Sequence, residues 1–295
     1  MINTSHAGRR IFCIANIGFF LILIIVCIYP IWYILIQSLS GSIVPGKALW
    51  IPYQFTLGNY QQIFHLPGVL HAVFISFART IIGTGLTTTC CMLLGYLFSK
   101  QDMPCRKLLY RTLTITMYVS GGLIPTYLVI KSYMLLNTFW VYILPSVISA
   151  YYVILIKTYV EQLPASVEES AMIDGAGILT IFFRIILPMS LPIIATIMVY
   201  ASVAQWNAWF DNHIYTFAVD ELTTMQYLLY NYLNEAEQLA TMIAETSYDI
   251  DIANQITPKS LRMTMTMITV FPVLLFYPFL QRFFIKGIMI GAVKG

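Results

Sequence analysis

The sequence predicts an all-α membrane protein with six transmembrane helices and both termini in the cytoplasm. This prediction rests on the composition, on six long apolar stretches and on an uneven distribution of Lys and Arg. Of the 295 residues, 59% are hydrophobic and only 10% are charged, and the mean hydropathy is +0.77. Because a soluble domain carries about 25% charged residues, the composition excludes an ordinary soluble enzyme, a disordered regulator and a disulfide scaffold.

Six apolar stretches divide the chain. Each is long enough for the roughly 20 residues with which a helix crosses a bilayer. None alternates between polar and apolar residues, as the strands of a membrane barrel would, so the stretches are predicted to be helices. They are Ile11–Ile36, Val69–Phe98, Leu108–Ile130, Phe139–Tyr159, Pro188–Phe210 and Leu261–Leu280.

The first stretch begins directly after Arg9 and Arg10, an arrangement also found in twin-arginine export signals. Its apolar run is far longer than the about 7–15 residues of a signal h-region, and it lacks a small-x-small cleavage site. We therefore expect a retained first span, with residues 1–68 comprising this helix and an outer loop.

The second stretch contains a charge, Arg79. A charge inside a span normally faces protein or a water-filled path, but snorkelling or a structural pair with a helix carbonyl would also account for it. On the same helix Gly83, Thr87, Cys91 and Gly95 recur every four residues. Small residues at this spacing let neighbouring helices approach closely, so a packing role is predicted for them.

The orientation follows from the basic residues, because cytoplasmic segments carry an excess of Lys and Arg. With a cytoplasmic N-terminus, only Lys47, Lys131, Lys259 and Arg262 lie outside, and Arg79 lies within a span. Both termini are then cytoplasmic. The other eleven of the sixteen basic residues lie inside: Arg9, Arg10, Lys100, Arg106, Lys107, Arg111, Lys157, Arg184, Arg282, Lys286 and Lys294.

The cytoplasmic loop 161–187 contains signals for a short helix. Ser166 and Glu169 have the spacing of a capping box, which predicts a helix over Val167–Asp174. Gly175 suits the left-handed conformation that ends a helix, and a second amphipathic segment follows the turn.

This short helix has small residues and an apolar edge. Small side chains would let the backbone of another protein approach, and the edge is too short to bury itself, which suggests a docking surface. A connector lying on the membrane surface is the alternative, and the residues alone do not decide between the two. The small residues are Ala171, Gly175, Ala176 and Gly177, and the edge consists of Val167, Ala171 and Ile173.

The amino-acid sequence of this loop is distinctive. It has Glu169-Ser-Ala171-Met-Ile-Asp174-Gly175-Ala176 followed by Ile185-Ile-Leu187-Pro188. This pattern resembles the EAA---G---------I-LP motif of bacterial ABC importer permeases, with Ser170 where the family prefers Ala. The Asp174-Gly175-Ala176 segment, Phe182 and Pro192 resemble the corresponding residues of the carbohydrate branch, of the maltose-permease type.

Three further segments support the resemblance, which covers nearly the whole chain. The segment Ser120–Tyr127 is similar to the branch that handles complex oligosaccharides. The segment Trp206–Phe210 ends the fifth stretch as in that group, and Tyr277–Gly295 closes the chain like the shorter type of permease subunit.

The resemblance implies a type I ABC importer permease fold in the bacterial plasma membrane. It also implies that the chain has no catalytic site and binds no metal or cofactor, since ATP and Mg would be bound by partner subunits. The implied partners are a second, homologous permease subunit (a heterodimer), two ABC ATPases, an extracellular solute-binding protein and the oligosaccharide substrate. Residues 69–287 would form the core permease domain, with the coupling loop 161–187 and an outer loop 211–260, and residues 288–295 a cytoplasmic tail.

Two sets of contact residues follow from the resemblance. The short helix would dock in a groove of one ATPase and couple its closure to opening of the pore, and the tail would add a second contact. The coupling residues would be Glu169, Ala171, Asp174, Gly175 and Ala176, and the tail contacts Gly291, Lys294 and Gly295.

Candidate residues for the substrate path lie near the outer ends of the spans. Aromatic faces suit sugar rings and amides suit hydroxyls, whereas an interfacial belt explains the tryptophans equally well but not the amides. If Arg79 and Lys131 face the path, the cargo is anionic, such as a uronic-acid-containing oligosaccharide. The candidates are Arg79, Tyr127, Gln205, Trp206, Asn207 and Trp209.

The alternative is a polytopic membrane enzyme, such as an intramembrane hydrolase or a glycosyl transferase. That function requires a nucleophile with its base, or an acidic metal-binding pair, and no motif singles one out. The four histidines lack a metal-ligand spacing, the five cysteines form no CxxC pair, and no Walker A sequence is present. The net charge of +3 is too small to indicate nucleic acid as a partner.

Overall fold

The computed structural model describes residues 6–41, 50–234 and 262–275. The described residues are helical, apart from turns, irregular segments and one isolated bridge between Ser40 and Phe55. Short 3₁₀ turns lie at Phe139–Tyr142, Leu144–Ser146 and Asp220–Leu222. The helices are α1 (His6–Ser38), α2 (Gly58–His65), α3 (Val69–Ser99), α4 (Arg106–Ile115), α5 (Leu123–Ser132), α6 (Ala150–Val160), α7 (Ala165–Ile173), α8 (Ile178–Met189), α9 (Leu191–Asn207), α10 (Phe210–Tyr215), α11 (residues 225–234) and α12 (Arg262–Leu275).

Two of the six predicted stretches are single long helices. The first stretch lies in α1, whose most apolar segment has no residue buried within the protein. The second stretch is α3, and half of its most apolar segment is buried. An exposed surface that is apolar on all sides is suited to lipid or to another apolar helix, so α1 has the surface expected of a membrane span.

The prediction of continuous helices is wrong for the third and fourth stretches. The third consists of α4 and α5, separated by residues 116–122, where Gly122 has φ +81°. The fourth begins as two 3₁₀ turns and bends by 49° before α6; Pro145 lies in the second turn, where its missing N–H does not support an α-helix. The fifth stretch includes α9, which bends by 79° from α8 at Ser190.

By length and composition, the described residues contain two helices that can cross a membrane individually. There are up to four spans if each bent pair is one span. The sixth stretch is helical over Arg262–Leu275, and its remainder lies outside the described residues. The six-span count stays a prediction.

The chain forms two units. One takes residues up to Pro67 together with Asn231–Val270, and the other takes Gly68–Tyr230 and the residues from Phe271 onward. In the second unit, α3 packs against both α6 and α9. All the residues of the candidate sites described below belong to this second unit.

Small residues on α3 permit these contacts, as predicted. A Cβ atom on Gly95 would lie 2.6 Å from Cγ2 of Ile156 on α6, and one on Gly83 would lie 2.8 Å from Cδ of Gln205 on α9. Cys91 is fully buried in the core of this unit. All five cysteines are free.

Candidate functional site

Helix α7 begins two residues earlier than predicted. Pro164, in an extended conformation, is the N-cap residue, and no side chain caps the helix. Ser166 therefore lies inside the first turn, where its carbonyl oxygen accepts a hydrogen bond from Ser170 Oγ at 2.8 Å. The predicted capping box between Ser166 and Glu169 is wrong, because the proline, with its fixed φ and no N–H to satisfy, sets the helix start.

The end of α7 agrees with the sequence prediction. Asp174 is the C-cap residue and Gly175 has φ +80°, so the glycine adopts the left-handed conformation that ends the helix. After the turn, α8 contains a π-helical segment at Phe182–Ile186. Segments of this type are rare and occur frequently at functional sites.

An acidic residue of α7 connects this helix to the C-terminal end of α3. Glu168 forms an ion pair with Lys100, and its Oε1 accepts a hydrogen bond from Tyr96 Oη at 3.0 Å. The ammonium group of Lys100 lies 4.5 Å from the centre of the Tyr96 ring, which in turn contacts Phe182 of α8. We refer to Tyr96, Lys100 and Glu168 as the Glu168 cluster.

No pattern in the sequence predicts a partner for Glu168. A carboxylate in the first turn is explained by the helix dipole alone, and its partner Lys100 lies 68 residues earlier in the chain. A second acidic residue of the loop also forms ion pairs: Glu161 pairs with Arg106 at 2.9 Å and with Lys157 at 2.7 Å. These contacts hold the loop to α3, α4 and α6.

The predicted apolar edge of α7 divides between two faces. Ala171 is buried in the core with Tyr96 and Phe182, and Ala176 packs against the same core. Ile173, by contrast, is 86% exposed, and Glu169 and Asp174 are also exposed. We refer to the exposed apolar residues around the turn as the loop tip; they are Met172, Ile173, Ile178 and Leu179.

Arg79 is only 2% exposed and is fully engaged in the protein. Its Nε donates to Gln205 Oε1 at 2.9 Å, and Nη1 donates to Asp211 Oδ1 at 3.0 Å and to the Ala208 carbonyl at 3.1 Å. Nη2 donates to the second oxygen of Asp211, and the guanidinium lies 4.7 Å from the centre of the Tyr142 ring. The carboxylate of Asp211 therefore compensates the charge of Arg79.

Arg79 and Asp211 line a cavity of about 290 Å³. Its wall is built from α3, from the break before α6, and from α9 with the residues after it. Of the predicted path residues, only Arg79 and Gln205 line the cavity. The lining residues are Arg79, Thr87, Ser146, Ser149, Tyr152, Ala201, Ala204, Gln205, Ala208 and Asp211.

The other candidate path residues lie elsewhere. Trp206 is buried and packs against Phe77, with ring centres 5.0 Å apart. Asn207 is exposed, and Trp209 stacks on Tyr230 at 4.0 Å with an interplanar angle of 19°. The sixth candidate is Tyr127, which stacks on Tyr215 at 6.2 Å.

The first part of the predicted outer loop is ordered around Asn212, which has no exposed surface. Asn212 Oδ1 accepts hydrogen bonds from the backbone N–H of Thr224 at 2.7 Å and from its hydroxyl at 3.1 Å. Burial, and after it the carboxylate of Asp211, raise the pKa of Tyr215. Residues 225–234 of this loop form α11.

Several predicted features lie outside the described residues. They include residues 235–260 of the outer loop and the tail residues Gly291, Lys294 and Gly295. In the described part of the chain, no three His, Cys, Asp or Glu residues are grouped so that they could hold a metal ion.

Comparison with known proteins shows relatives along the full chain. The chain is 34% identical over 292 residues to the polygalacturonan/rhamnogalacturonan transport system permease protein YtcP of Bacillus subtilis (strain 168), covering 97% of this chain and 99% of the relative. It is also 34% identical over 299 residues to Protein LplC of the same organism, covering 100% and 99%. The arabinooligosaccharides transport system permease protein AraQ of Bacillus subtilis (strain 168) is 25% identical over 292 residues, or 97% of each chain.

A solved structure has the same fold. It is a crystal structure of a bacterial ABC transporter involved in the import of the acidic polysaccharide alginate, with a TM-score of 0.81 and 23% identity. The match covers 96% of this chain and 100% of that chain. No protein-family model matches the chain.

Proposed function

This chain belongs to the permease subunits of ABC sugar importers, and from that premise we propose that it forms half of the pore of an importer for acidic complex oligosaccharides. A permease of this family is a multi-pass protein of the plasma membrane. The membership favours a transport subunit over a membrane enzyme. ATP would be hydrolysed by two partner ATPases, a second permease would complete the pore, and an extracellular solute-binding protein would deliver the sugar.

The substrate class is proposed from the relatives, two of which are named for polygalacturonan/rhamnogalacturonan and arabinooligosaccharide transport. The first of these relatives is 34% identical and the second 25%, which favours polygalacturonan- and rhamnogalacturonan-type sugars. Arg79 does not support selection of the acid by charge, since its guanidinium is already paired with Asp211. Recognition inside the membrane would then use hydrogen bonds, which suit neutral and acidic sugar units alike.

Reconstitution tests this function. Proteoliposomes would contain this chain, its sister permease, the ATPases and the solute-binding protein, and uptake would be measured for oligogalacturonides, rhamnogalacturonan oligosaccharides and arabino-oligosaccharides. We expect ATP-dependent uptake of the first two classes and little of the third. Uptake of none of these sugars would overturn the proposed substrate class.

We place the ATPase contact at α7 and the loop tip. The observation that supports it is a short helix whose inner face is buried while large apolar side chains next to Gly175 stay exposed. Ile173 is 86% exposed and Leu179 is 68% exposed, and exposed apolar groups of this size gain most by burial against a partner. Glu169 and Asp174 would form the polar rim, whereas Ala171 and Ala176 would hold the helix against its own core.

The Glu168 cluster would transmit movement of α7 to α3. Glu168→Gln removes the charge that holds Lys100, and a hydrogen-bonded ion pair of this kind contributes about 1–2 kcal/mol. We expect uptake per ATP hydrolysed to fall about three- to tenfold while the ATPases stay attached, as measured in the proteoliposomes.

Two variants check this expectation. The exchange Lys100→Glu with Glu168→Lys restores opposite charges and should recover part of the coupling. Lys107→Met removes an exposed lysine that makes no ion pair in the described part of the chain, and it should have no effect. A similar loss in Lys107→Met, or none in Glu168→Gln, would contradict the role of the cluster.

The orientation is tested by cysteine labelling. In a background lacking the five native cysteines, a cysteine at Asn234 should react with an impermeant thiol reagent added to intact cells. A cysteine at Thr180, which is exposed on α8, should react only after the cells are permeabilised, because the basic residues place that loop in the cytoplasm. Labelling of Thr180 in intact cells would reverse the proposed topology.

Residues 1–68 would form the first span and an outer loop, and residues 69–287 the core permease domain. The outer loop 211–260 would contact the solute-binding protein, and Gly291, Lys294 and Gly295 of the tail 288–295 would touch an ATPase.

A further inference from the structure

The fourth predicted span is interrupted where it lines the cavity beside Arg79. Residues 147–149, between the 3₁₀ turn Leu144–Ser146 and α6, have no helical structure. Irregular backbone at membrane depth is tolerated where it is buried in protein or lines a cavity. Ser146 and Ser149, on the two sides of the break, both line this cavity. In membrane transporters, interrupted helices frequently form the substrate site.

Three hydroxyl groups of the cavity wall have no partner in the described protein. They belong to Thr87 on α3, to Ser149 directly before α6, and to Tyr152 in the first turn of α6. Thr87 is only 3% exposed. A hydroxyl group that lines a cavity and makes no hydrogen bond within the protein is free to bond to a polar ligand there.

The rest of the wall offers both donors and acceptors without net charge. Arg79 is paired with Asp211, and Gln205 bridges Arg79 to Ser146, toward which its Nε2 donates at 3.3 Å. Opposite charges held together in this way suit a ligand whose hydroxyls both donate and accept. Ala201, Ala204 and Ala208 add a small apolar surface, which suits the C–H face of a sugar ring.

We propose that this cavity is a subsite that holds one sugar ring of the transported oligosaccharide, with Thr87, Ser149 and Tyr152 bonding to its hydroxyls. The volume of about 290 Å³ is just below the range for small-molecule sites, about 300–1,000 Å³. It therefore suits a single ring rather than a whole oligosaccharide. The inference rests on the proposed function. The three residues would recognise the hydroxyl groups of a sugar ring, whatever the charge of the oligosaccharide.

The helix α3 offers a matched control for the test. Thr88, the next residue, is also buried and its hydroxyl also lacks a partner, but it does not line the cavity. Valine has nearly the shape of threonine without the hydroxyl. We expect Thr87→Val to raise the KM of uptake about fivefold, as for loss of one neutral hydrogen bond. Thr88→Val should leave the KM unchanged.

The probe is the oligosaccharide that the wild-type complex takes up best among the three classes above. An unchanged KM in Thr87→Val, or an equal rise in Thr88→Val, would overturn the subsite. If the wild-type complex takes up none of the sugars, the proposed function fails before any variant is compared. The two failures are therefore distinguishable.

Occupancy of the cavity by the sugar is measured directly by labelling engineered cysteines. In a background with the native cysteines replaced by serine, Thr87→Cys should be modified by a small methanethiosulfonate reagent, and the transported oligosaccharide should protect it. Thr88→Cys should not be modified. Modification of Thr87→Cys without protection by the sugar would overturn the proposal even if Thr87→Val fails to assemble.

Discussion

Replacing Gly175 by valine is expected to lower oligosaccharide uptake tenfold or more and to uncouple or detach the ATPases. The residue has φ +80°, a conformation in which a β-branched side chain is a strong outlier. The strain costs at least about 1–2 kcal/mol and would displace the loop tip that follows the turn. A Cβ atom at this position meets no atom within 4 Å, so the effect would come from the backbone and from the docked partner.

Gly177 provides the matched control. It lies two residues later, has φ −73°, and a Cβ atom there also meets nothing within 4 Å. Gly177→Val adds the same bulk without the strain and should retain most of the coupling. Gly175→Asn should also retain activity, since asparagine tolerates the left-handed region.

The measurement is ATP hydrolysis, sugar uptake and retention of the ATPases in proteoliposomes that contain all the subunits. Full transport by Gly175→Val would mean that the loop is only a connector, and the proposed ATPase contact would be wrong. Equal losses in Gly175→Val and Gly177→Val would assign the effect to bulk at the docking surface rather than to the turn.

Replacing Arg79 by glutamine is expected to prevent stable assembly rather than to change the choice of cargo. Arg79 is buried and pairs with both oxygens of Asp211. Removal of one partner from a buried ion pair costs about 3–5 kcal/mol, because the other charge is left uncompensated. We expect a melting temperature about 10 °C lower for the detergent-purified protein and little mature complex in the membrane.

The double variant Arg79→Gln with Asp211→Asn tests whether the loss of stability comes from a charge left unpaired. It leaves two neutral amides and no unpaired charge, so it should recover much of the stability that each single variant loses. The control is Arg111→Gln, because Arg111 is exposed and makes no ion pair in the described part of the chain. If the single variants are as stable as Arg111→Gln, the pair has no structural role.

The structure changes the expectation for this arginine. The sequence left open whether Arg79 lines the path or makes a structural contact, and a path role predicted slower uptake of acidic cargo with assembly intact. Arg79 does line the cavity, but its charge is compensated by Asp211, which lies 132 residues later. Acidic and neutral cargo should therefore be affected equally by the loss of assembled complex.

Some errors of prediction had signals in the sequence. The third stretch contains Gly121 and Gly122, and the fourth contains Pro145, residues that commonly interrupt a helix. Pro164 likewise marks the start of α7 better than the capping-box spacing does. Hydropathy over a long window averages such local signals away, because it responds to apolar content and not to backbone geometry.

The sequence by itself determined the membrane class, the family, α1 and α3 as long helices, and the turn at Gly175. Each depends on composition, on a local motif or on the conformational freedom of one residue. Only the tertiary structure decided the partners of Arg79 and Glu168, the burial of Ala171 and the cavity lined by Thr87, Ser149 and Tyr152. These side chains come from helices far apart in the chain, and which of them meet depends on the packing of α3 against α6 and α9, which no local pattern specifies.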